Sequence, residues 1–245
     1  MIVRGGRPIY GAPLGILMLD ARFPRIVGDM GNAATFPFPV QYRLVDGASP
    51  HRVVRRDPAA LLPRFIAAAH DLKRHGALGI TTNCGFLSLF QTELAAAVKL
   101  PVAASSLMQV RLVNACLPPG QRAGILTISG STLTPQHLSA AGVPEGTPIG
   151  TTEGGAEFTK AILSDAPTLN IAAAEADNVA AAERLVADHA DVGAIVLECT
   201  NMTPYAGAIH AATGRPVHTM VDFVHWFHAG LCAGTGGGPH AARSG

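Results

Sequence analysis

Short apolar runs alternate along the chain with longer alanine-rich stretches of helical period. GILML (15–19), LGITT (78–82), AGILTI (123–128) and GAIVLE (193–198) lack polar alternation and read as strands buried on both faces. AALLPRFIAAAHDLKRHG (59–76) and NVAAAERLVADHAD (178–191) read as amphipathic helices leading into strands. Strand and helix in alternation predict an α/β fold with parallel sheets flanked by helices. Pro24, Pro37, Pro39, Pro118 and Pro119 punctuate loops. The GTGGG run near the C-terminus has no helix after it and is no phosphate loop; residues 234–245 are expected to be disordered.

The pattern repeats within the chain. GIL at Gly15 recurs at Gly124, and the strand that runs into Cys84 recurs as the strand that runs into Cys199. Pro101-Val102 recurs as Pro216-Val217, so each cysteine precedes its Pro-Val by 17 positions (101 − 84 and 216 − 199). These coincidences, in one order, predict two copies of one α/β unit. Ligands of open parallel sheets bind beyond the carboxyl ends of the strands. Two copies facing each other about a pseudo-twofold axis would put Cys84 and Cys199 on opposite sides of one cleft.

Two opposed thiols suit proton transfer at a carbon acid. One removes a proton from one face of the carbon and the other delivers one to the opposite face. A thiol reference pKa of about 8.5 keeps both forms accessible. CGFLSLFQTELAAAVK (84–99) reads as a helix opening at the cysteine, which favours the thiolate. Taken singly, a cysteine after a strand also reads as a small buried apolar residue, and that is the reading for Cys116 and Cys232. Asn83, Thr200, Asn201 and the hydroxyls Ser129, Ser131, Thr132 and Thr134 lie near predicted strand ends. They are candidates to hold a carboxylate or its enediolate, or else ordinary caps and turns. Thr134-Pro135 reads as a helix start. Arg22 and Arg25 are candidate carboxylate clamps or solvated loop charges, with Asp20 and Asp29 as possible partners. Phe36, Phe38 and Phe86 read as core or else as the lining of a less polar pocket, and His225 and His228 as one face of a helix rather than metal ligands.

Composition narrows the classes. Of 245 residues, 48% are hydrophobic and 14% charged, with a net charge of +1 and no basic cluster, which argues against nucleic-acid and membrane-surface partners. No apolar run is long enough to span a membrane, and the N-terminus lacks the apolar core of a signal peptide, so a cytoplasmic location is expected. The four cysteines should then be reduced, and none share a Cys-x-x-Cys spacing, so no metal site is expected.

These residues resemble the aspartate/glutamate racemase superfamily over roughly residues 12 to 225. GDMGNAAT (28–35) is similar to the early Gly-Gly-Met-Gly-Pro-x-Ala-Thr segment, TTNCGF to the first catalytic cysteine motif and ECTNM to the second. GILTISGSTLTPQHL resembles the middle segment, with Gly130-Ser131 and Thr134 at its Gly-Thr and Ser/Thr positions. The resemblance implies two pseudo-symmetric α/β domains, residues 1–104 plus 216–245 and residues 105–215, with the active site in the cleft between them. It implies a cofactor-independent racemase of an amino acid or related 2-substituted carboxylic acid, often dimeric, with Cys84 and Cys199 as its two bases. Asn32, Asn83, Gly85, Phe86, Ser131, Thr200 and Asn201 would bind the small carboxylate. The chain departs from the racemase pattern in having Asn83 before the first cysteine, Gly85 and Phe86 after it, and Asn201 where His or Glu is common. Arylmalonate decarboxylases of the superfamily keep only the second cysteine, so Cys84 argues against that activity. A maleate-type cis-trans isomerase working through a cysteine adduct, and a non-catalytic carboxylate-binding protein, remain as alternatives.

Overall fold

The structure is a computed structural model and describes residues 5–233; the expectation for residues 234–245 lies outside them. Among the described residues, two sheets of four parallel strands have the same topology. In the first, β1 (Leu14–Leu19), β2 (Val40–Val45), β3 (Gly79–Thr82) and β4 (Val102–Ala103) lie in the order β2-β1-β3-β4. In the second, β5 (Arg122–Thr127), β6 (Ile149–Thr151), β7 (Val192–Leu197) and β8 (Val217–His218) lie in the order β6-β5-β7-β8. The internal repeat is therefore a repeat of architecture. β1 and β7 are buried along their whole length, which is why they read as continuous apolar runs.

Among the described residues, nine α-helices connect and cover the strands: α1 (Pro50–Arg55), α2 (Leu62–His75), α3 (Gln91–Val98), α4 (Val110–Cys116), α5 (Pro135–Ala140), α6 (Phe158–Leu163), α7 (Ile171–Asp188), α8 (Ala206–Thr213) and α9 (Met220–Cys232). The repeated glycine of GIL has a packing reason. A Cβ on Gly15 would stand 2.9 Å from Leu72 of α2, and one on Gly124 would stand 3.1 Å from Leu185 of α7. Each glycine lets the equivalent helix press onto the central strand of its sheet.

The last strand belongs to the second sheet, since Ile195 and Val196 of β7 pair with Val217 and His218. The chain then crosses back: Met220, Phe223 and Val224 of α9 join Leu14, Ile16 and Phe36 in a core on the first sheet. The expected domain boundary at residue 216 falls just ahead of β8, and the return to the first half is made by α9. Phe38 stacks on His228 at 3.6 Å between ring centroids, so Phe36 and Phe38 belong to this packing, away from the cavity that the two repeated cysteines line.

Candidate active site

Each cysteine stands two residues beyond the third strand of its repeat and opens a 3-10 turn, Gly85–Phe90 after Cys84 and Thr200–Tyr205 after Cys199. The turns continue into α3 and α8, so the helical start expected after Cys84 is present as a 3-10 turn followed by an α-helix. Both thiols are buried and line one cleft. Asn83, Phe86, Glu198 and Asn201 line it with them. The rest of the lining is largely apolar and includes a wall of Phe23, Pro50, Val54, Ile162 and Leu163.

The two cysteine segments are joined directly, because the Thr200 hydroxyl donates to the Asn83 carbonyl at 2.7 Å. Asn83 is fixed by its side chain: the Leu19 N–H donates to Asn83 Oδ1 at 2.8 Å. Asn201 donates from Nδ2 to Asp29 Oδ2, which turns its Oδ1 toward the Cys199 Sγ at 3.5 Å. Asp29 is itself held by Arg25 at 2.9 Å, and both side chains are largely buried. Arg25 meets Asp29 through Nη1 and keeps a buried Nη2 with no hydrogen-bond partner among the described residues, while Arg22 pairs with Asp165 at 3.2 Å.

The other expected site residues sit apart. Asn32 accepts from the Ala34 N–H and donates to the Arg25 carbonyl, a loop-capping role outside the cavity lining. Ser131 also lies outside the lining; its N–H and hydroxyl donate to Glu153 at 2.8 and 2.6 Å. Gly85 is a close-approach position against Glu198. Thr134 caps α5 as expected, in a capping box with His137.

Electrostatics differ from the expectation of a ready thiolate. The N–H groups of Phe86 and Leu87 do favour a charged Cys84, and that of Asn201 a charged Cys199. Burial, with Glu198 next in size, outweighs them and pushes Cys84 up to about 12 and Cys199 well above its ordinary value. Glu198 itself is pushed up to about 7 by burial, against the pull of hydrogen bonds from Thr127 and the Ile128 N–H. Reading each half alone missed Glu198. Its signal is the repeat: it precedes Cys199 as Asn83 precedes Cys84, and like Asn83 it ties the third strand's end to the first strand of its sheet.

Contacts between the halves join residues near the cleft. The Arg22 and Phe23 N–H groups donate to Asp165 Oδ1 at 2.6 and 3.2 Å, and Arg55 meets Glu153 at 3.3 Å. Asp165→Ala removes the shared acceptor of two amide N–H groups and an ion pair at once. Faster amide exchange at Arg22 and Phe23, by about tenfold or more, is expected in hydrogen-exchange mass spectrometry, since a hydrogen bond to a charged group is worth about 1.5–3 kcal/mol. Unchanged exchange there would mean that Asp165 does not tie the halves together.

No family model matches the chain. Over 231 residues it is 29% identical to dimethylsulfoniopropionate lyase of Durusdinium sp. clade D, covering 91% of this chain and 76% of that protein. Over 236 residues it is 30% identical to dimethylsulfoniopropionate lyase 7 of Emiliania huxleyi (strain CCMP1516), covering 89% of this chain and 67% of that protein. The chain belongs to the dimethylsulfoniopropionate lyase family, on the fold of the aspartate/glutamate racemase superfamily. Solved structures carry the same fold. A Gly74Cys mutant of arylmalonate decarboxylase matches with a TM-score of 0.61 at 16% identity, over 91% of this chain and 94% of that one. Glutamate racemase from Francisella tularensis subsp. tularensis SCHU S4, in complex with D-glutamate, matches with a TM-score of 0.59 at 14% identity, over 92% and 82%. Among the described residues no helix is long and apolar enough to cross a membrane, and no group of three or more His, Cys, Asp or Glu side chains could hold a metal ion.

Proposed function

We propose that this chain is a cofactor-independent enzyme that removes the proton next to the carboxylate of a small acid, with Cys84 and Cys199 as its acid/base pair. The observation that carries this reading is the placement of two buried thiols, one from each half, on a single cavity. A thiolate takes the α-proton and the charge spreads into the carboxylate as an enediolate. The Asn83 amide and the N–H groups opening the 3-10 turns stabilise that charge.

The substrate decides the fate of the enediolate. With a leaving group on the next carbon, the electron pair forms a carbon–carbon double bond and expels that group, a lyase reaction. From dimethylsulfoniopropionate the group leaves as neutral dimethyl sulfide and needs no proton. Without a leaving group, the opposite thiol returns a proton to the other face, a racemase reaction.

The lyase outcome stands first. The curated relatives named for it are 29–30% identical to this chain, about twice the 14% of the racemase structure. The wall of Phe23, Pro50, Val54, Ile162 and Leu163 also suits the methyl groups of a sulfonium better than an ammonium or a second carboxylate. The paired thiols favour racemisation as the second outcome.

Proton NMR in deuterated water tests both. With dimethylsulfoniopropionate, growth of alkenyl proton signals is expected. With L- and D-aspartate or glutamate, loss of the α-proton signal would move the assignment to a racemase. Intact spectra with all of them would overturn α-deprotonation of these acids.

A further inference from the structure

We propose that Glu198 is the proton acceptor of the closed site: the thiol that acts on the substrate first hands its proton to Glu198 Oε1. The inference rests on the thiol chemistry proposed for the cleft and adds a third member to it.

Glu198 is 1% exposed and lines the same cavity as the two thiols. Its Oε2 accepts from the Thr127 hydroxyl at 2.7 Å. Its Oε1 has no hydrogen-bond partner among the described residues. A buried carboxyl oxygen left unpaired is costly, and such groups cluster where chemistry uses them. The side chain springs from the residue beside Cys199, and its free oxygen lies against the backbone beside Cys84. A Cβ on Gly85 would be 2.3 Å from Oε1, so the glycine is what admits the carboxyl to this position. Asn201, two residues beyond Cys199, cannot exchange protons and is committed to Asp29.

The order of acidity makes Glu198 the resting anion, and the hand-off is an uphill step that is completed only when the thiolate takes the substrate proton. Burial brings Glu198 to about 7, while both thiols lie far above that, so the carboxyl ionises first of the three. The charged groups around the three are the Arg25–Asp29 pair of the preceding loop, Arg25 favouring a charged Cys84 and Asp29 opposing a charged Cys199. In the step, the S–H bond breaks and an O–H bond forms, giving a thiolate beside a neutral carboxyl with no change in net charge. The thiolate then takes the α-proton. That proton restores the thiol, and in the lyase reaction the proton that Glu198 took from the thiol leaves for solvent, restoring the carboxylate with one proton released per substrate.

The test is the pH dependence of iodoacetamide labelling at Cys84 and Cys199, resolved by peptide mass spectrometry, in the wild-type chain, Glu198→Gln and Glu198→Asp. It needs no substrate, so it decides the relay even if the substrate class is wrong. In the wild type, labelling is expected to rise with pH and level off above about pH 7, because the ionised carboxylate opposes further thiolate. Glu198→Gln should lose the break and keep rising by about tenfold per pH unit through the neutral range. Glu198→Asp should restore a break at a shifted midpoint, which a merely structural role would not do. On any substrate the wild type turns over, Glu198→Gln should lose about a hundredfold at pH 7, since the cavity lining offers the thiol no other carboxylate among the described residues. A break that survives in Glu198→Gln, or turnover unchanged in that variant, overturns the relay. A relay intact with every substrate unconverted would count against the proposed substrates alone.

Discussion

Replacing by serine whichever of Cys84 and Cys199 takes the α-proton is expected to cut turnover about 10²–10⁴-fold, the usual worth of one positioned acid/base group. Serine keeps the size and the hydrogen-bonding capacity but is far too weak an acid to serve as the base. The two variants should also differ from each other. Elimination requires one base, so one serine variant should lose it almost completely and the other only partly. Inversion requires both thiols, so either variant should abolish it while leaving exchange of the α-proton of one enantiomer. Proton NMR in deuterated water with chiral analysis reads all of these. Undiminished turnover in both variants would sink the thiol mechanism. Cys116→Ser is the control, since that cysteine is exposed and outside the cavity lining.

Gly85→Ala should be the most damaging single methyl in the site. The added Cβ would stand 2.3 Å from Glu198 Oε1 and 2.4 Å from the Glu198 backbone oxygen. The carboxyl can swing away, but the backbone oxygen cannot, because Ser106 Oγ donates to the carbonyls of Leu197 and Glu198 at 2.6 and 3.1 Å. The segments carrying the two cysteines must then separate, which strains the Thr200–Asn83 bond between them. Overpacking of this kind costs about 1–3 kcal/mol and sometimes more. A lowered denaturation midpoint is expected, together with altered reactivity at both thiols. Gly207→Ala in α8 is the matched control: among the described residues nothing lies within 4 Å of its added Cβ, so it should be neutral or slightly stabilising. Equal stability of the two variants would contradict the close approach of the two halves.

The elements that were legible were those whose burial is nearly complete. β1, β3, β5 and β7 are central strands covered on both faces, so their side chains had to be mostly apolar. β2 was not legible, because it is an edge strand with Tyr42, Arg43 and Leu44 exposed. β6 has three residues and α1 and α6 six each, too short to show a period. That gap mattered, since α1 and α6 supply Pro50, Val54, Ile162 and Leu163 to the cavity wall. Of the apolar lining only Phe86 was a candidate in the chain, and the wall from α1 and α6, which bears most on the substrate, was not legible there.

The sequence by itself determined the repeat, the parallel α/β units and the equivalence of the two cysteines. These arise from local periodicity and from spacing between strands, which survive in one dimension. Only the tertiary structure decided what surrounds the thiols. Ser131 and Asn32, polar and well placed in the chain, are turned to Glu153 and to the Arg25 carbonyl. Glu198, which reads as the last residue of a strand, is carried inward against Gly85 from the other half. The acidity of a buried group depends on what is packed around it in three dimensions. The burial that makes the fold also lifts the thiols out of the neutral range and brings Glu198 into it.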